Sequence, residues 1–475
     1  MSELPSGWGR AEIGDLCNLI NGRAFKPQEW SESGLPIIRI QNLNNPTSKF
    51  NHFSGEFDAK HHVKNGDLLF AWSGTPGTSF GAHIWHGGDA VLNQHIFKIE
   101  FSERETNRGF LRYAINQKLD ELISSAQGGV GLRHVTKGTF EKTEISFPPL
   151  AEQTRIAQKL DELLAQVDTL KSRIDTIPAL LKRFRQSVLA AAVSGRLTEE
   201  WRAGNTRCDV AEQINAILRD RLLLSKSKKA PSTHLKNEEY EIPQTWRWVS
   251  LDSLSAKIVD GTHHTPTYVE SGVPFISVKD IRDGVIDFSS TKFITNREHE
   301  ELCKRCYPQK GDLLITKSGT IGRTAMVNTQ AEFSLFVSVA LIKPASKLVN
   351  MRFIDIALMK WVGEIDISSR IVGSAIKNLH LTDMKVLAIP FAPLEEQAEI
   401  VRRVEQLFAF ADQLEAKVAT AKARIDRLTQ SILAKAFRGE LVPQDSNDEP
   451  ASLLLERIQA QRAAAPKAKR GRKSA

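Results

Sequence analysis

The sequence predicts an α+β fold of mixed type: two α/β globules joined by two long antiparallel coiled-coil helices, produced by tandem internal duplication. Three observations predict it. Short motifs recur at a nearly constant offset, two heptad runs occupy matching places, and the segments before them alternate β-branched runs with turn residues.

The repeat is read first, because a missed repeat misassigns the whole fold. Pro5-Ser6-Gly7-Trp8 is echoed by Pro243-Gln244-Thr245-Trp246, and Gly34-Leu35-Pro36-Ile37-Ile38 by Gly272-Val273-Pro274-Phe275-Ile276, both at an offset of 238. Gly66-Asp67-Leu68-Leu69 returns as Gly311-Asp312-Leu313-Leu314 at 245. Pro149-Leu150-Ala151-Glu152-Gln153 returns as Pro393-Leu394-Glu395-Glu396-Gln397, and Gln186-Ser187-Val188-Leu189-Ala190 as Gln430-Ser431-Ile432-Leu433-Ala434, both at 244. Matches in the same order at so steady an offset make the chain a doubled unit.

Residues 1–148 and 242–392 read as the globules. Runs such as Leu35 to Ile40, Asp67 to Trp72 and Phe336 to Ile342 are strands bounded by Gly, Pro, Asn and Asp. Shorter helical stretches intervene at Gly109 to Leu122 and Met351 to Trp361. The strand order is not legible.

Residues 149–195 and 393–440 read as helices. In the first, apolar residues fall at Ile156, Leu160, Leu163, Val167, Leu170, Ile174, Ile177, Leu181, Phe184 and Val188. In the second they fall at Ile400, Val404, Leu407, Ala411, Leu414, Val418, Ala421, Ile425, Leu428 and Ile432, each 244 beyond its counterpart. Spacings that alternate four and three over four heptads specify a coiled-coil seam. Pro149 and Pro393 suit a first helical turn, and Gly195 and Gly439 suit a helix end. Pro178 predicts a kink or break in the first helix only, since Lys422 fills the matching place. A lone helix of this length would leave its seam in water, whereas two copies can bury theirs on each other. Residues 196–241 form a linker with a short helix, and 441–475 a basic C-terminal tail.

A net charge of +8 and the cluster Arg462, Lys467, Lys469, Arg470, Arg472 and Lys473, with Lys226, Lys228 and Lys229 in the linker, fit a polyanionic partner as well as solvated segments. No apolar run reaches a membrane span, the first residues lack a signal peptide's pattern, and four cysteines suit a reducing compartment. A cytoplasmic protein with no membrane partner is expected.

Glu152-Gln153, Asp161-Glu162-Leu163-Leu164-Ala165-Gln166-Val167-Asp168 and Leu181-Lys182-Arg183-Phe184-Arg185-Gln186-Ser187-Val188-Leu189-Ala190 resemble the central conserved region of type I restriction–modification specificity subunits. The segments Glu396 to Phe408 and Gln430 to Leu441 resemble that family's C-terminal conserved region, nearest to the type IA branch. The resemblance is dense over the helices and thin over the globules. It implies two target recognition domains, each reading half of a split, asymmetric site in double-stranded DNA. It further implies that the helices set the gap and hold two adenine-N6 methyltransferase subunits, which motor-nuclease subunits then join. S-adenosylmethionine, ATP and Mg2+ would serve those partners, with no cofactor and no catalysis in this chain. The chain alone is then expected to be poorly soluble or weak in binding DNA.

Enzyme motifs are missing from the sequence: no phosphate-binding Gly-x-x-x-x-Gly-Lys-Ser/Thr, and no Asn/Asp-Pro-Pro-Tyr/Phe, since Phe147-Pro148-Pro149 lacks the polar residue. These absences count against a fused modification enzyme, the second rival reading; the first rival is a protein-only coiled-coil adaptor. Cys303-Lys304-Arg305-Cys306 offers only half a zinc site, and the adjacent pairs His61-His62 and His263-His264 would point to opposite faces of a strand. Gly74 to Thr78 and Ser318 to Arg323 are matched Gly/Thr loops that read either as tight turns or as an anion-binding nest.

Base reading needs paired donors and acceptors, which Arg, Asn and Gln supply, while Lys mainly grips phosphate. The candidates in the first globule are Arg39, Gln41, Asn42, Asn93, Gln94, His95, Arg133 and His134. Those in the second are Thr262, His263, His264, Lys279, Arg282, Lys317, Arg323, Lys377 and Asn378. Each alone also reads as a solvated surface residue. Arg133 and Lys377 stand out as counterparts 244 apart, in loops just before the long helices.

Overall fold

A computed structural model describes residues 4–45, 48–74, 80–124, 133–205, 210–224, 230–232, 234–236, 240–282, 284–364 and 379–464. The chain divides into two compact units, Met1–Ile174 with Thr420–Ala475, and Asp175–Ala419.

In the first unit an antiparallel sheet has the order Cys17–Asn21, Ile96–Phe101, Leu68–Ala71, Gly81–Ile84. Every residue of Leu68–Ala71 is buried, as suits an unbroken apolar run covered on both faces. A smaller mixed sheet runs Asn51–Phe53, Leu35–Ile38, Ala90–Leu92, His62–Val63. Gly9–Glu12 pairs with Glu144–Phe147 and so ties the globule's first strand to its last, just ahead of the long helix. The second unit repeats this plan. Its main sheet has the order Ser255–Asp260, Val339–Pro344, Leu313–Thr316, Thr324–Met326. Its smaller sheet runs Lys292–Ile294, Val273–Ile276, Ser334–Leu335, and Arg247–Ser250 closes on Ala388–Phe391.

The long helices are Leu150–Val193 and Leu394–Phe437, 44 residues each and so about 66 Å long. In the first unit the early part of one meets the late part of the other: Ile156, Leu160 and Val167 share a core with Ile432, Ala436 and Phe437. Lys171 pairs with Asp426 at 3.6 Å. In the second unit Val188 and Leu189 share a core with Ile400 and Val404, and Arg185 pairs with Asp412 at 2.6 Å and Glu415 at 2.9 Å. Within each unit the two helices are therefore antiparallel. The heptad seam is not uniformly covered. Ile156, Leu160, Val167, Leu181, Ile400 and Val404 are buried, while Leu163, Ile174, Leu407, Leu414, Val418 and Ile425 are half-buried. Leu170 and Leu428 keep 48% and 47% of their surface. The seam closes beside the globules, which add a second apolar wall, and loosens away from them.

Of the kink or break expected at Pro178, the break does not occur: Leu150–Val193 runs through it. The proline removes a single N–H, and the helix continues on both sides of the unit boundary at Ile174 and Asp175. Both long helices stop at a left-handed glycine, Gly195 at φ 73° and Gly439 at φ 74°. A Cβ on either would stand 2.4 Å from a proline ring, that of Pro243 or Pro5, so the closeness of the incoming chain also demands glycine.

The tail needs correcting. Residues 451–464 form the helix Ala451–Ala464, the counterpart of Val210–Leu224 in the linker, and each packs on its own unit's globule. Arg221 Nε donates to the carbonyls of Asp252 and Ser255 at 3.0 Å each. Arg462 donates to Gly14 and, at 2.8 Å, to Cys17, which lie 238 before those two residues. Each arginine satisfies the last carbonyls of a short helix, Leu251–Leu254 or Ile13–Leu16. Arg462 is thus a structural residue. Lys226, Lys228, Lys229, Lys467, Lys469, Arg470, Arg472 and Lys473 lie outside the described residues.

Candidate nucleic-acid interface

Each globule is fastened to its helix by the Glu-Gln pair that opens the helix. Gln153 is buried; its amide donates to the Pro148 carbonyl at 2.9 Å and accepts from the Asn107 N–H at 2.8 Å. Gln397 donates likewise to Ala392 at 2.7 Å and accepts from Asn350 at 3.2 Å. Trp8 donates to Glu152 at 2.9 Å, and Trp246 to Glu396 at 2.8 Å. The carboxylates differ in their second oxygen. That of Glu396 accepts from Thr198 at 2.7 Å and Arg202 at 2.9 Å. That of Glu152 is buried with no partner among the described residues; in sequence, the positions 244 beyond Thr198 and Arg202 hold Val442 and Ser446. Burial pushes the Glu152 carboxyl up, against the opposing pull of Trp8 and Arg155.

The two copies diverge at the end of the central strand of each main sheet. There the backbones agree and the side chains do not. Trp72 N–H donates to His95 and its carbonyl accepts from Val135; Lys317 N–H donates to Ser338 and its carbonyl accepts from Leu379. In the first globule Trp72 stacks on Phe97 at 5.5 Å, with His95 and His134 against it at 5.4 and 5.9 Å. Ser73 Oγ lies 2.8 Å from His134 Nδ1. Burial, then the neighbouring His134, lowers the His95 pKa. In the second globule a charged cluster takes this place. Asp260, 2% exposed, receives Lys317 at 2.8 Å, His263 at 3.2 Å and Arg305 at 2.5 Å. Burial opposes its ionisation, but Lys317 and His263 outweigh it and hold the carboxyl below the usual range.

A model of the family described as type I restriction modification DNA specificity domain matches residues 5–179 and 243–421, one copy on each half of the duplication. The chain belongs to that specificity family. It is 37% identical to the Type I restriction enzyme EcoBI specificity subunit of Escherichia coli, over 99% of this chain and 95% of that one. It is 33% identical to the EcoKI specificity subunit of Escherichia coli strain K12, over 99% of both chains. Its fold is similar to the solved HsdS subunit from Thermoanaerobacter tengcongensis, with a TM-score of 0.51 and 19% identity over 93% of this chain and 99% of that one. A chain from a structural study of complex assembly and conformational transition of the type I R-M system superposes at a TM-score of 0.63, with 19% identity over 93% and 100% of the two chains.

On this specificity-family scaffold the expected base readers divide by environment. Asn42 is buried and holds a loop, donating to the carbonyls of Ser48 and Lys49 at 3.3 Å and accepting from Arg39 N–H at 3.1 Å. Thr262 is buried, with Oγ1 2.7 Å from His264 Nδ1, and Lys317 is spent on Asp260. The polar groups of these three are committed within the protein. Gln41, Gln94, His134, His263, His264, Lys279, Arg282 and Arg323 are exposed. His263 and His264 diverge as expected, one toward Asp260 and the other toward Glu298 at 3.8 Å. Asn93 and His95 are half-buried, and Arg39 lies over the Trp30 ring at 5.6 Å. Arg133 pairs by its backbone with Gly74, bringing its strand beside Ser73, while Lys377 and Asn378 lie outside the described residues.

In Ser318 to Arg323 two of the backbone N–H groups are already bonded within the loop. Thr316 Oγ1 accepts the Arg323 N–H at 2.9 Å and the Thr316 carbonyl accepts that of Gly322 at 2.8 Å, leaving those donors no anion to bind. In the first copy, residues 75–78 of the matching loop lie outside the description. Cys303 and Cys306 carry free thiols, pushed by burial to about 11 and about 12. Among the described residues, no group of three or more His, Cys, Asp or Glu could hold a metal, and no helix is long and apolar enough to cross a membrane. Sequence reading missed Arg23, which lies at 4.8 Å from the centres of both the Phe25 and Phe53 rings. A Gly-Arg step leaving the first sheet strand is a signal that could have drawn attention to it.

Proposed function

We propose that this chain is the DNA-reading subunit of a type I restriction–modification complex, with no catalysis of its own. Each globule reads one half of a bipartite, asymmetric site in double-stranded DNA. The long helices set the gap and dock two adenine-N6 methyltransferase subunits, and motor-nuclease subunits complete the assembly in the cytoplasm. S-adenosylmethionine, ATP and Mg2+ belong to those partners. The observation that carries this reading is the combination of a repeated scaffold with diverged chemistry. The same Trp, Glu and Gln fasten both globules, while Trp72 in one corresponds to Lys317 in the other, the first packed among His95 and His134 and the second paired with Asp260. Two fixed readers of different chemistry suit two half-sites of different sequence.

The test is methylome sequencing of a host that expresses the chain with its methyltransferase partner. A two-part motif with unlike halves and one gap length is expected. Methylation without such a motif, or binding to duplexes with no sequence preference, would favour a protein adaptor instead. Adding four residues to each helix lengthens it by about 6 Å and should widen the gap by roughly one to two base pairs.

A further inference from the structure

The outer face of the first unit's smaller sheet carries a guanidinium set for a ligand. Ile37, Phe53 and Val91 form a small apolar cluster there, with Phe25 packed on it. Arg23 covers this cluster, 4.8 Å from the centres of the Phe25 and Phe53 rings. Those two rings meet edge to face at 5.1 Å. One end of the guanidinium is held by Glu29, whose other oxygen accepts the Lys26 N–H at 2.8 Å. Two rings and a carboxylate thus set both the plane and the rotation of the arginine. Its Nη1, however, has no hydrogen-bond partner among the described residues and no open surface, although the side chain is 32% exposed. Two neighbours on or beside this sheet repeat the defect. Asn51 Nδ2, paired across from Ile37, and Arg39 Nε, just after the strand Leu35–Ile38, are also shut off without partners.

Three donors left without acceptors in and beside one sheet are costly in the free protein, since a buried unpaired donor forfeits its hydration. The missing partner is an acceptor. A phosphate is a poor match for Arg23, because Glu29 already neutralises its charge and phosphate binding draws chiefly on charge. A neutral, planar pair of acceptors suits it better. In the major groove guanine presents such a pair, O6 and N7, and arginine's rigid fork matches it. The second unit differs at the matching face. Lys292 lies 4.0 Å from the centre of the Tyr268 ring, and none of the described side chains there has a donor shut off without a partner.

We propose that Arg23 is a specificity-determining residue that reads a guanine in the half-site of the first globule, with Glu29 as its positioning residue. This rests on the DNA-reading role proposed above. The experiment uses the full chain co-expressed with its methyltransferase, comparing wild type with Arg23→Gln, Arg23→Lys and Glu29→Gln by methylome sequencing and by competition between duplexes changed at single positions. Arg23→Gln should relax discrimination at one guanine of one half by roughly tenfold or more. Arg23→Lys should relax it similarly, because an ammonium lacks the fork. Glu29→Gln should raise affinity for all duplexes while weakening that one preference. The proposal is overturned if Arg23→Lys keeps the wild-type motif, if Arg23→Gln lowers methylation evenly at every site, or if the change falls on both halves. Should Arg23→Gln fail to assemble by size measurement, Arg23→Lys alone decides. A wild-type complex that yields no split motif would refute the DNA-reading role itself, and this inference with it.

Discussion

Glu152 and Glu396 do the same work in the two units, yet only one is fully paired. Both accept a tryptophan N–H, but Glu396 also receives Thr198 and Arg202, whereas the second oxygen of Glu152 has nothing. The same division appears at the central strands, where an aromatic and imidazole cluster in the first unit corresponds to an ion cluster around the buried Asp260 in the second. Duplication preserved the contacts that fasten globule to helix and released the rest. What differs between the copies is therefore where function, or accident, has been free to act.

The largest expected effect comes from breaking the pair that only the second unit has. Glu396→Gln leaves Arg202 beside a neutral amide in a buried site and should destabilise the second unit by about 3 kcal/mol. Calorimetry resolving the two units should show one transition move down. Glu152→Gln removes no such partner, so an equal loss in the first unit would contradict the assigned asymmetry.

Next come the helix ends, where the copies should behave alike. Gly195→Ala and Gly439→Ala each force a Cβ into a left-handed turn and against a proline ring, at a cost of about 2 kcal/mol. Urea midpoints that fall for one variant and not the other would show that the two ends are not equivalent.

Two smaller effects have opposite signs in pH. The folded pKa of Asp260 is depressed, so its contribution is present above the ordinary carboxylate value and is lost as pH falls toward the folded one. Asp260→Asn should flatten the acid side of the second unit's stability profile. The folded pKa of Glu152 is raised, so stability falls as pH rises from the ordinary glutamate value through the folded one. Glu152→Gln should remove that decline and leave the first unit at least as stable at neutral pH. Melting temperatures measured across pH 3–8 would check both, roughly spanning the ordinary carboxylate range.

The duplication, the two helices and their glycine stops were legible because they depend on local chemistry: heptad spacing, first-turn proline and terminal glycine act within a few residues of where they stand. The pairing of the helices followed from the need of each seam for a partner, and the globule between them in the chain allows the antiparallel sense. The seam's uneven burial did not follow, since Ile156 and Leu170 belong to the same heptad pattern and differ only in whether a globule stands beside them. Nor could spacing show that the middle of the tail, Ala451–Ala464, is a docked helix, because the carbonyls that hold Arg462 belong to residues near the other end of the chain.

The polar candidates divide for the same reason. Sequence alone determined which residue types were available in each globule and that the two copies had diverged. Only tertiary structure decided that Asn42 and Lys317 are consumed by the carbonyls and carboxylate around them, while Arg23 keeps an unpaired edge. A side chain's capacity for hydrogen bonds is written in its type, but whether that capacity is already filled depends on neighbours brought in from far along the chain.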